Sequence, residues 1–564
     1  MLVRAWQWAS AIFFHKRQFT LLGRGVRSGF CVEGVGRRRR EMSGMGSVGE
    51  QNGGIGWLAR RPKACAFQQF MVCRPASAAI LHPRWDFEGR MQTGRRWLTI
   101  ALLAGGLGGC VSAPTEYRSG PGLPVPEQWS VESGSSPAVT ASYWTRLNDP
   151  LVNSYVARAL ENNRDIAQSA ARLAQARAGV RAARAGYFPQ VTASGGVQRD
   201  VGDLADERLQ YSLGADAQWE VDLFGRIGGN VAASRADLAA AGYGLADLQR
   251  LIVGQVAQTT VSARTLAVQL AIARETLTIQ DDNLQIARWR REAGLVSSLD
   301  VEQAAAQRAQ TAASIPALER DLAQAANSIS TLIGEAPGPV RTAIEGEAKP
   351  IPVPPDAVGF DAPAPVLRHR PDVRQAEATL LADTARIGVA RAQMLPLVNL
   401  TGNLGTASFG IGNLFDVITG RLFAGISQLI FDGGRARAGL DAANAAAQAS
   451  LAAWQKAILA ALEDVESAAA AQRAAGERVG LFETARDAAS NAALLARSQY
   501  QAGLIDFQTL LTAENQLLAA RNALAASEAE RANAFISLNQ ALGGGWDGAN
   551  FDPDAGVRTQ GISE

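Results

Sequence analysis

The chain has 564 residues, of which 47% are hydrophobic, and its formal net charge of +2 hides an uneven distribution. Residues 1–90 carry 15 Lys and Arg against 5 Asp and Glu, whereas the chain from Cys110 onward carries 38 basic and 48 acidic residues. Because the basic excess is confined to the N-terminal segment, it does not indicate a nucleic-acid partner for the rest of the chain.

Residues 91–109 have the pattern of a lipoprotein signal peptide. Two Arg residues precede an apolar run at 97–104, which is too short to span a bilayer because spanning takes about 20 residues. A signal peptide must be N-terminal, so translation is expected to start at Met91. Residues 1–90 show no sustained hydrophobic period and are interpreted as an over-extended gene model; the alternative is a disordered basic extension.

Cys110 is the candidate lipidation site. The segment Leu107-Gly108-Gly109-Cys110 resembles a lipobox, in which the lipoprotein signal peptidase cuts before a Cys whose thiol then takes a diacylglycerol. The alternative is a chance Cys after an apolar run. Residues 110–145 are assigned as the lipidated N-terminal tether, because most of this segment is rich in Pro, Gly and Ser.

The exported part of the chain has little chemistry to offer a metal or a substrate. Its only Cys is Cys110 and its only His is His369, so a His/Cys metal site is not possible. No nucleophile motif or phosphate-binding loop stands out either. We therefore expect no enzyme activity, no metal and no cofactor.

From residue 146 onward the chain repeats one pattern about 208 residues later. Each copy consists of a helical stretch, two strands, a very long helical segment, a glycine-containing turn and a returning helix. The first copy is assigned to 146–334 and the second to 366–546. A Pro-rich linker, 335–365, joins them, and 547–564 form a C-terminal tail.

The helical segments are unusually long. Asp149-Pro150 marks the start of a helix that is expected to run to about Ala185. The long segments 226–293 and 435–501 contain no Pro, and each would extend about 100 Å as one helix. Helices of this length need partners along their whole surface, and the returning helices 298–333 and 507–541 are expected to supply them. Pro316 should kink the first returning helix.

Four strands are predicted, at 190–201, 209–223, 397–408 and 420–432. In 209–223 apolar side chains alternate with polar and acidic ones, as in a strand with one apolar and one polar face. An outer-membrane barrel and a soluble sandwich both show this pattern. If the strands lie in lipid, four cannot close a barrel, so several chains must share one. Two chains would give a filled eight-stranded barrel, and three would give twelve strands and a bore.

The span from Asp149 to Trp546 resembles the TolC-like outer-membrane efflux proteins, in the lipoprotein branch that serves resistance-nodulation-division (RND) pumps. The resemblance is carried by the order, spacing and duplication of six segments, which are 219–226, 367–377, 387–392 with Pro396, 431–435, 501–504 and 541–546. It implies a mainly α fold with a small β part, in which a homotrimer forms a twelve-stranded transmembrane β-barrel and a long α-helical barrel. It also implies location in the outer membrane, contact with its lipid, and two protein partners: a periplasmic adaptor and the inner-membrane pump.

The resemblance places the periplasmic gate at the two helix turns, 294–300 and 503–509. In well-known members, acidic residues just past the second turn form a constricting ring, but the aligned positions here are Thr509 and Thr512. The acids expected near the tip are Asp300 and Asp506. For each of them the alternative role is helix capping, and the two roles are compatible.

The leading functional hypothesis is therefore a passive exit duct of a tripartite efflux pump, with selectivity residing mainly in the pump. One alternative with the same architecture is the outer-membrane component of type I protein secretion. Another, from a different class, is a periplasmic coiled-coil scaffold that is anchored only by lipid.

Overall fold

The computed structural model describes residues 122–130, 141–203, 208–346, 350–355 and 361–546. The predicted signal peptide with Cys110, the segment 1–90, the tail 547–564 and much of the tether lie outside these residues. In the described part, helices dominate and four strands form one sheet. The predicted fold class, mainly α with a small β part, is thus confirmed.

Each repeat contains the predicted elements in the predicted order. In the first repeat they are α1 (Pro150–Asn162), α2 (Arg164–Ala185), β1 (Gln190–Arg199), β2 (Leu209–Val221), α3 (Arg226–Glu292) and α4 (Ser298–Leu332). Two short helices follow, α5 (Pro339–Gly346) and α6 (Pro363–His369). In the second repeat they are α7 (Pro371–Ala392), β3 (Leu397–Ser408), β4 (Thr419–Ser427), α8 (Arg435–Gln501) and α9 (Phe507–Ala541).

The first predicted helix is in fact two helices. Asp149 caps α1 as expected, because its carboxylate accepts a hydrogen bond from the Leu151 backbone N–H at 2.8 Å. The chain then turns extended at Asn163, whose side-chain oxygen accepts from the N–H groups of Asp165 and Ile166 at 2.8 and 3.0 Å. Asn163 is therefore both the end of α1 and the N-cap of α2.

Two long antiparallel hairpins make up most of the molecule. The first hairpin is α3 with α4, and the second hairpin is α8 with α9; α3 and α8 each contain 67 residues, about 100 Å. α4 continues through Pro316. Gly294 and Gly503 end the long helices with φ values of 71° and 76°, a conformation that residues with a Cβ rarely adopt. These glycines set the hairpin turns where the sequence places them.

The four strands form an antiparallel sheet in the order β1-β2-β3-β4. β4 is shorter than predicted and ends at Ser427 rather than at 432. Asp432 does not extend the strand: its carboxylate accepts at the start of α8 from the backbone N–H of Gly434 at 2.8 Å and of Ala436 at 2.7 Å. Asp222 makes the corresponding contact after β2, where its carboxylate accepts from the Gly228 N–H at the start of α3 at 2.7 Å.

The main core lies where helices of both repeats meet. It contains fully buried side chains from α1, α3 and α9, among them Val152, Val253 and Phe535. A buried ion pair lies nearby, in which Arg264 of α3 contacts Asp149 at 3.2 Å with the two side chains 1% and 5% exposed. Removing either partner of such a pair would leave the other as an uncompensated buried charge, which is strongly destabilising. The main core therefore holds the ends of the returning helices α4 and α9. These ends, opposite the turns at Gly294 and Gly503, are the upper ends of the hairpins.

The linker between the repeats is more structured than expected. Within 335–365 the chain forms α5, whose Val340 and Ile344 are buried against the main core. None of the described helices combines the length and the continuous apolar character that crossing a bilayer would require.

Candidate functional site

The turn of the first hairpin carries one of the two predicted tip acids. Asp300 lies in the first turn of α4 and is half-buried. The cap of α4 is Ser297, whose hydroxyl oxygen accepts from the Leu299 N–H at 3.1 Å. Asp300 is therefore placed beside the turn, close to the positive end of the α4 dipole, where a negative charge is favourable.

The turn of the second hairpin carries the other predicted acid in an exposed position. Asp506 is the N-cap of α9, and its carboxylate accepts from the Thr509 backbone N–H at 2.8 Å. Hydrogen bonds from the Thr509 side chain and backbone hold the pKa of Asp506 below its ordinary value. Thr509 and Thr512 are exposed, and the Thr512 hydroxyl donates to the Gln508 carbonyl at 2.8 Å. Asp506 thus does act as a cap.

Two residues that the sequence reasoning missed connect the hairpins beside these turns. Arg290, in the last turn of α3, donates to the backbone carbonyl of Tyr500 on α8 at 2.7 Å. Its guanidinium lies 4.6 Å from the centre of the Tyr500 ring, which also packs edge-on against Phe507. Burial raises the pKa of the Tyr500 hydroxyl; Arg290 opposes this shift, and the negative charge of Asp300 adds to it. Asp300, Arg290 and Tyr500 thus form one electrostatic group.

The tip also exposes large apolar side chains. Trp289, Leu295, Leu299 and Leu504 are between 60% and 75% exposed. All four flank the two turns at the end of the hairpins. Exposed apolar groups concentrated in this way are typical of a surface that binds another protein.

The sheet has one polar and one apolar face. Cross-strand partners share a face, and the polar one includes Gln190 with Gln218 and Glu220 with Asn399. The apolar face includes Val191, Leu404, Leu422 and Ile426, which are 58% to 84% exposed. A soluble sandwich would cover such a face with a second sheet. This sheet instead presents it outward over all four strands, as a lipid-facing surface does.

Comparison with known proteins identifies the class. The family described as outer membrane efflux protein matches residues 155–335 and 363–544, which correspond to the two repeats. This chain belongs to that family. The predicted resemblance is therefore confirmed, and the family consists of outer-membrane channels rather than enzymes.

Individual relatives agree with this assignment. The chain is 31% identical to the probable outer membrane lipoprotein SilC of Salmonella typhimurium, over 79% of this chain and 97% of that protein. It is 30% identical to the toluene efflux pump outer membrane protein TtgF of Pseudomonas putida, over 81% and 98%. Among solved structures, the outer-membrane channel OprN is 32% identical and superimposes with a TM-score of 0.68 over 76% of this chain and 99% of OprN. The chain is thus an outer-membrane efflux channel protein.

Proposed function

We propose that three copies of this chain assemble into the passive exit duct of a tripartite RND-type efflux system. The observation that carries the proposal is the two-faced sheet with its two edges, β1 and β4. In the described part of the chain neither edge strand has a second strand beside it. Unpaired strand edges are not tolerated in lipid, so neighbouring copies must pair with them.

Three copies give twelve strands, which leave a bore, whereas two copies give an eight-stranded barrel that side chains would fill. The polar face then lines water and the apolar face contacts outer-membrane lipid. The long hairpins continue the bore into the periplasm for about 100 Å. The exposed apolar tip is the surface for the periplasmic adaptor, which connects the duct to the inner-membrane pump. The relative TtgF is named for toluene efflux. Because a passive duct leaves selectivity mainly to the pump, this name does not assign toluene as a substrate of the present chain.

The experiment is to purify the protein in detergent, measure its mass by native mass spectrometry and insert it into planar lipid bilayers. A trimer that conducts ions supports the proposal. A stable monomer or dimer, or a trimer that never conducts, contradicts it. Neighbouring genes give an independent check, since a proton-driven pump is expected beside this gene, and an ATP-binding-cassette exporter would favour the protein-secretion alternative.

The anchor is proposed at Cys110, which lies outside the described residues. The mature chain is expected to begin at Cys110 with a diacylglycerol on its thiol, because the lipobox precedes it and the relative SilC is named as a lipoprotein. Mass spectrometry of the purified N-terminal peptide measures this directly. The variant Cys110→Ser is the control and should retain residues 91–109. A mature parent protein with an unmodified Cys110 would contradict the assignment.

The gate is proposed at the hairpin turns, with Asp300, Asp506, Thr509 and Thr512 around its narrowest point. Three copies of Asp506 would bring three ionised carboxylates to the bore, since the hydrogen bonds from Thr509 keep each one charged. Like charges in a narrow passage favour cations. The duct is therefore expected to be cation-selective.

Two substitutions separate the charge of Asp506 from its cap. Asp506→Asn removes the charge but keeps a good N-cap, whereas Asp506→Ala removes both. If the charge lines the gate, both variants should show reduced cation selectivity in planar bilayers, measured as the reversal potential across a salt gradient. Glu530→Ala, at an exposed site on α9 that is 24 residues beyond Asp506, is the control and should behave like the parent. Unchanged selectivity in Asp506→Asn would leave capping as the role of this residue.

A further inference from the structure

A carboxylate is buried between the two hairpins, one level above the tip. Glu514 lies on α9, eight residues beyond the cap Asp506 and therefore about 12 Å along the helix. Its side chain is 8% exposed. An isolated buried carboxylate is very unfavourable, so its hydrogen-bond partners decide whether this arrangement is stable.

The partners of Glu514 come from both hairpins. Asn283 of α3, on the first hairpin, approaches both carboxylate oxygens with its amide nitrogen, at 2.8 and 2.7 Å. Arg497 of α8, on the second hairpin, donates to one of these oxygens at 3.1 Å. Arg497 therefore balances the charge within the second hairpin, and Asn283 connects that charge to the first.

The layer directly below this group is apolar. Leu284 and Ala287 of α3 pack there with Leu510 of α9 and with Tyr500 and Phe507. Glu514 thus lies at the upper boundary of the small tip core and makes a polar contact next to an apolar layer.

An apolar contact and a buried charge respond differently when the hairpins separate. Exposed apolar side chains lose the full benefit of burial, whereas an exposed carboxylate and amide regain their hydrogen bonds from water. A buried ionic group therefore adds little net stability while its geometry is complete, but removing one partner leaves the other unsatisfied. Such a contact holds a closed arrangement in register and still permits it to open.

We propose that Glu514 is the latch between the hairpins: its hydrogen bonds to Asn283 hold the second hairpin against the first, and opening of the duct breaks them. The proposal rests on the channel function proposed above. It assigns Glu514 and Asn283 as positioning residues that act on the tip from above. The charged cap at Asp506 is a separate element of the gate.

The test measures how much time single channels spend at their highest conductance in planar bilayers. Glu514→Ala removes the acceptor and strands the Asn283 amide in the closed arrangement, so the open fraction should rise about tenfold or more. Asn283→Ala should act in the same way, and the double variant should exceed neither, because both changes break one contact. Glu514→Gln keeps an acceptor for Asn283 and should lie between the parent and Glu514→Ala.

Glu530→Ala is the matched control. Glu530 also lies on α9, but it is 50% exposed and pairs with Arg478 inside the second hairpin. Its loss should leave the open fraction unchanged. A purely structural role for Glu514 would lower the temperature at which the trimer dissociates without changing the open fraction, and that result would overturn the proposal.

A reversible cross-link keeps the test decisive if the alanine variants assemble poorly. The chain has no Cys after Cys110, so Asn283→Cys combined with Glu514→Cys provides two unique thiols. A short, reducible bifunctional thiol reagent should suppress opening, and reductant should restore it. A parent that never conducts refutes the channel itself. A conducting parent whose variants and cross-linked form open equally often refutes only the latch.

Discussion

Replacing Arg370 with Met is expected to reduce the free energy of unfolding by about 3 kcal/mol or more. The Arg370 side chain is 3% exposed and donates to both carboxylate oxygens of Asp372, at 3.0 and 2.7 Å. It also donates to Asp464 of α8 at 2.9 Å and to the backbone carbonyl of Ala541, at the end of α9, at 2.9 Å. Met fills much of the volume, but it leaves a partly buried carboxylate and a helix-end carbonyl without their donor.

The measurement is the temperature at which the purified trimer dissociates, followed as a mobility shift on electrophoresis after heating. Arg386→Met is the control, because Arg386 lies on α7, which begins directly after Arg370 in the chain, and also pairs with two carboxylates, those of Asp383 and Asp237, but is 47% exposed. Exposed pairs contribute about 1 kcal/mol or less. Equal shifts for the two variants would show that the burial of Arg370 has no special importance.

The loss of stability in Arg370→Met should also depend on pH. Burial raises the pKa of the Asp372 carboxyl, but the hydrogen bonds and charge of Arg370 outweigh burial and hold this pKa below its ordinary value. A lowered folded-state pKa gives a stability contribution that is present above the unfolded value of about 4 and is lost as pH falls through the folded value. The difference between the parent and Arg370→Met should therefore be largest near neutral pH and shrink in acid.

Elements whose causes are local were predictable from the sequence. The long helices α3 and α8 begin and end within one residue of their predicted bounds, because Gly at each end and the lack of interior Pro are local signals. The break at Asn163 was missed because Asn is tolerated inside helices. In the structure, its extended backbone and its two cap bonds to the following N–H groups distinguish it from a helical Asn.

Contacts between distant parts of the chain were not predictable in this way. Helical periodicity alone places Asp464 and Glu466 on a solvated face of α8. In the structure Asp464 binds Arg370, and Glu466 accepts from the backbone N–H of Ser130 in the tether at 2.8 Å. Helical periodicity indicates which face of a helix is apolar, but it does not indicate which long-range partner a charged residue on the other face will find.

The candidate gate likewise contains residues that the sequence predicts and residues that it does not. The turns placed Asp300 and Asp506 at the tip from sequence alone, and the capping role of Asp506 follows from its position before α9. Arg290 and Tyr500 were missed, since they lie 210 residues apart and belong to different repeats. The sequence does contain one indication of their common location, since Arg290 and Tyr500 each lie a few residues before an Ala-Gly-Leu turn.

In both repeats, a side chain at the start of the repeat donates a hydrogen bond to a backbone carbonyl at the end of the returning helix. In the first, the cap Asn163 of α2 donates to the Leu332 carbonyl at the end of α4, at 2.8 Å. In the second, the residue at the same place, Arg370 before α7, donates to the Ala541 carbonyl at the end of α9. Each bond joins the start of a repeat to the end of its returning helix.

Gly334 lies next to this contact between the start and the end of the first repeat, in a place that leaves no room for a Cβ. Gly334 follows α4 with φ of 73°, and a Cβ added there would lie 2.4 Å from the carbonyl oxygen of Asn162. No Cβ can occupy that position unless the backbone shifts. The shift would move Asn162 and with it Asn163, whose bond to Leu332 closes the repeat.

Gly334→Ala is therefore expected to destabilise the protein by about 1–2 kcal/mol for the left-handed backbone and by about 1–3 kcal/mol more for the contact with Asn162. Gly294→Ala is the matched control, because Gly294 has φ of 71° and its Cβ would meet nothing within 4 Å. The measurement is the yield and dissociation temperature of purified trimers. Gly334→Ala should lower both clearly more than Gly294→Ala. If both variants lose the same amount, the backbone conformation alone accounts for the glycine, and the close packing of Gly334 on Asn162 does not stabilise the repeat.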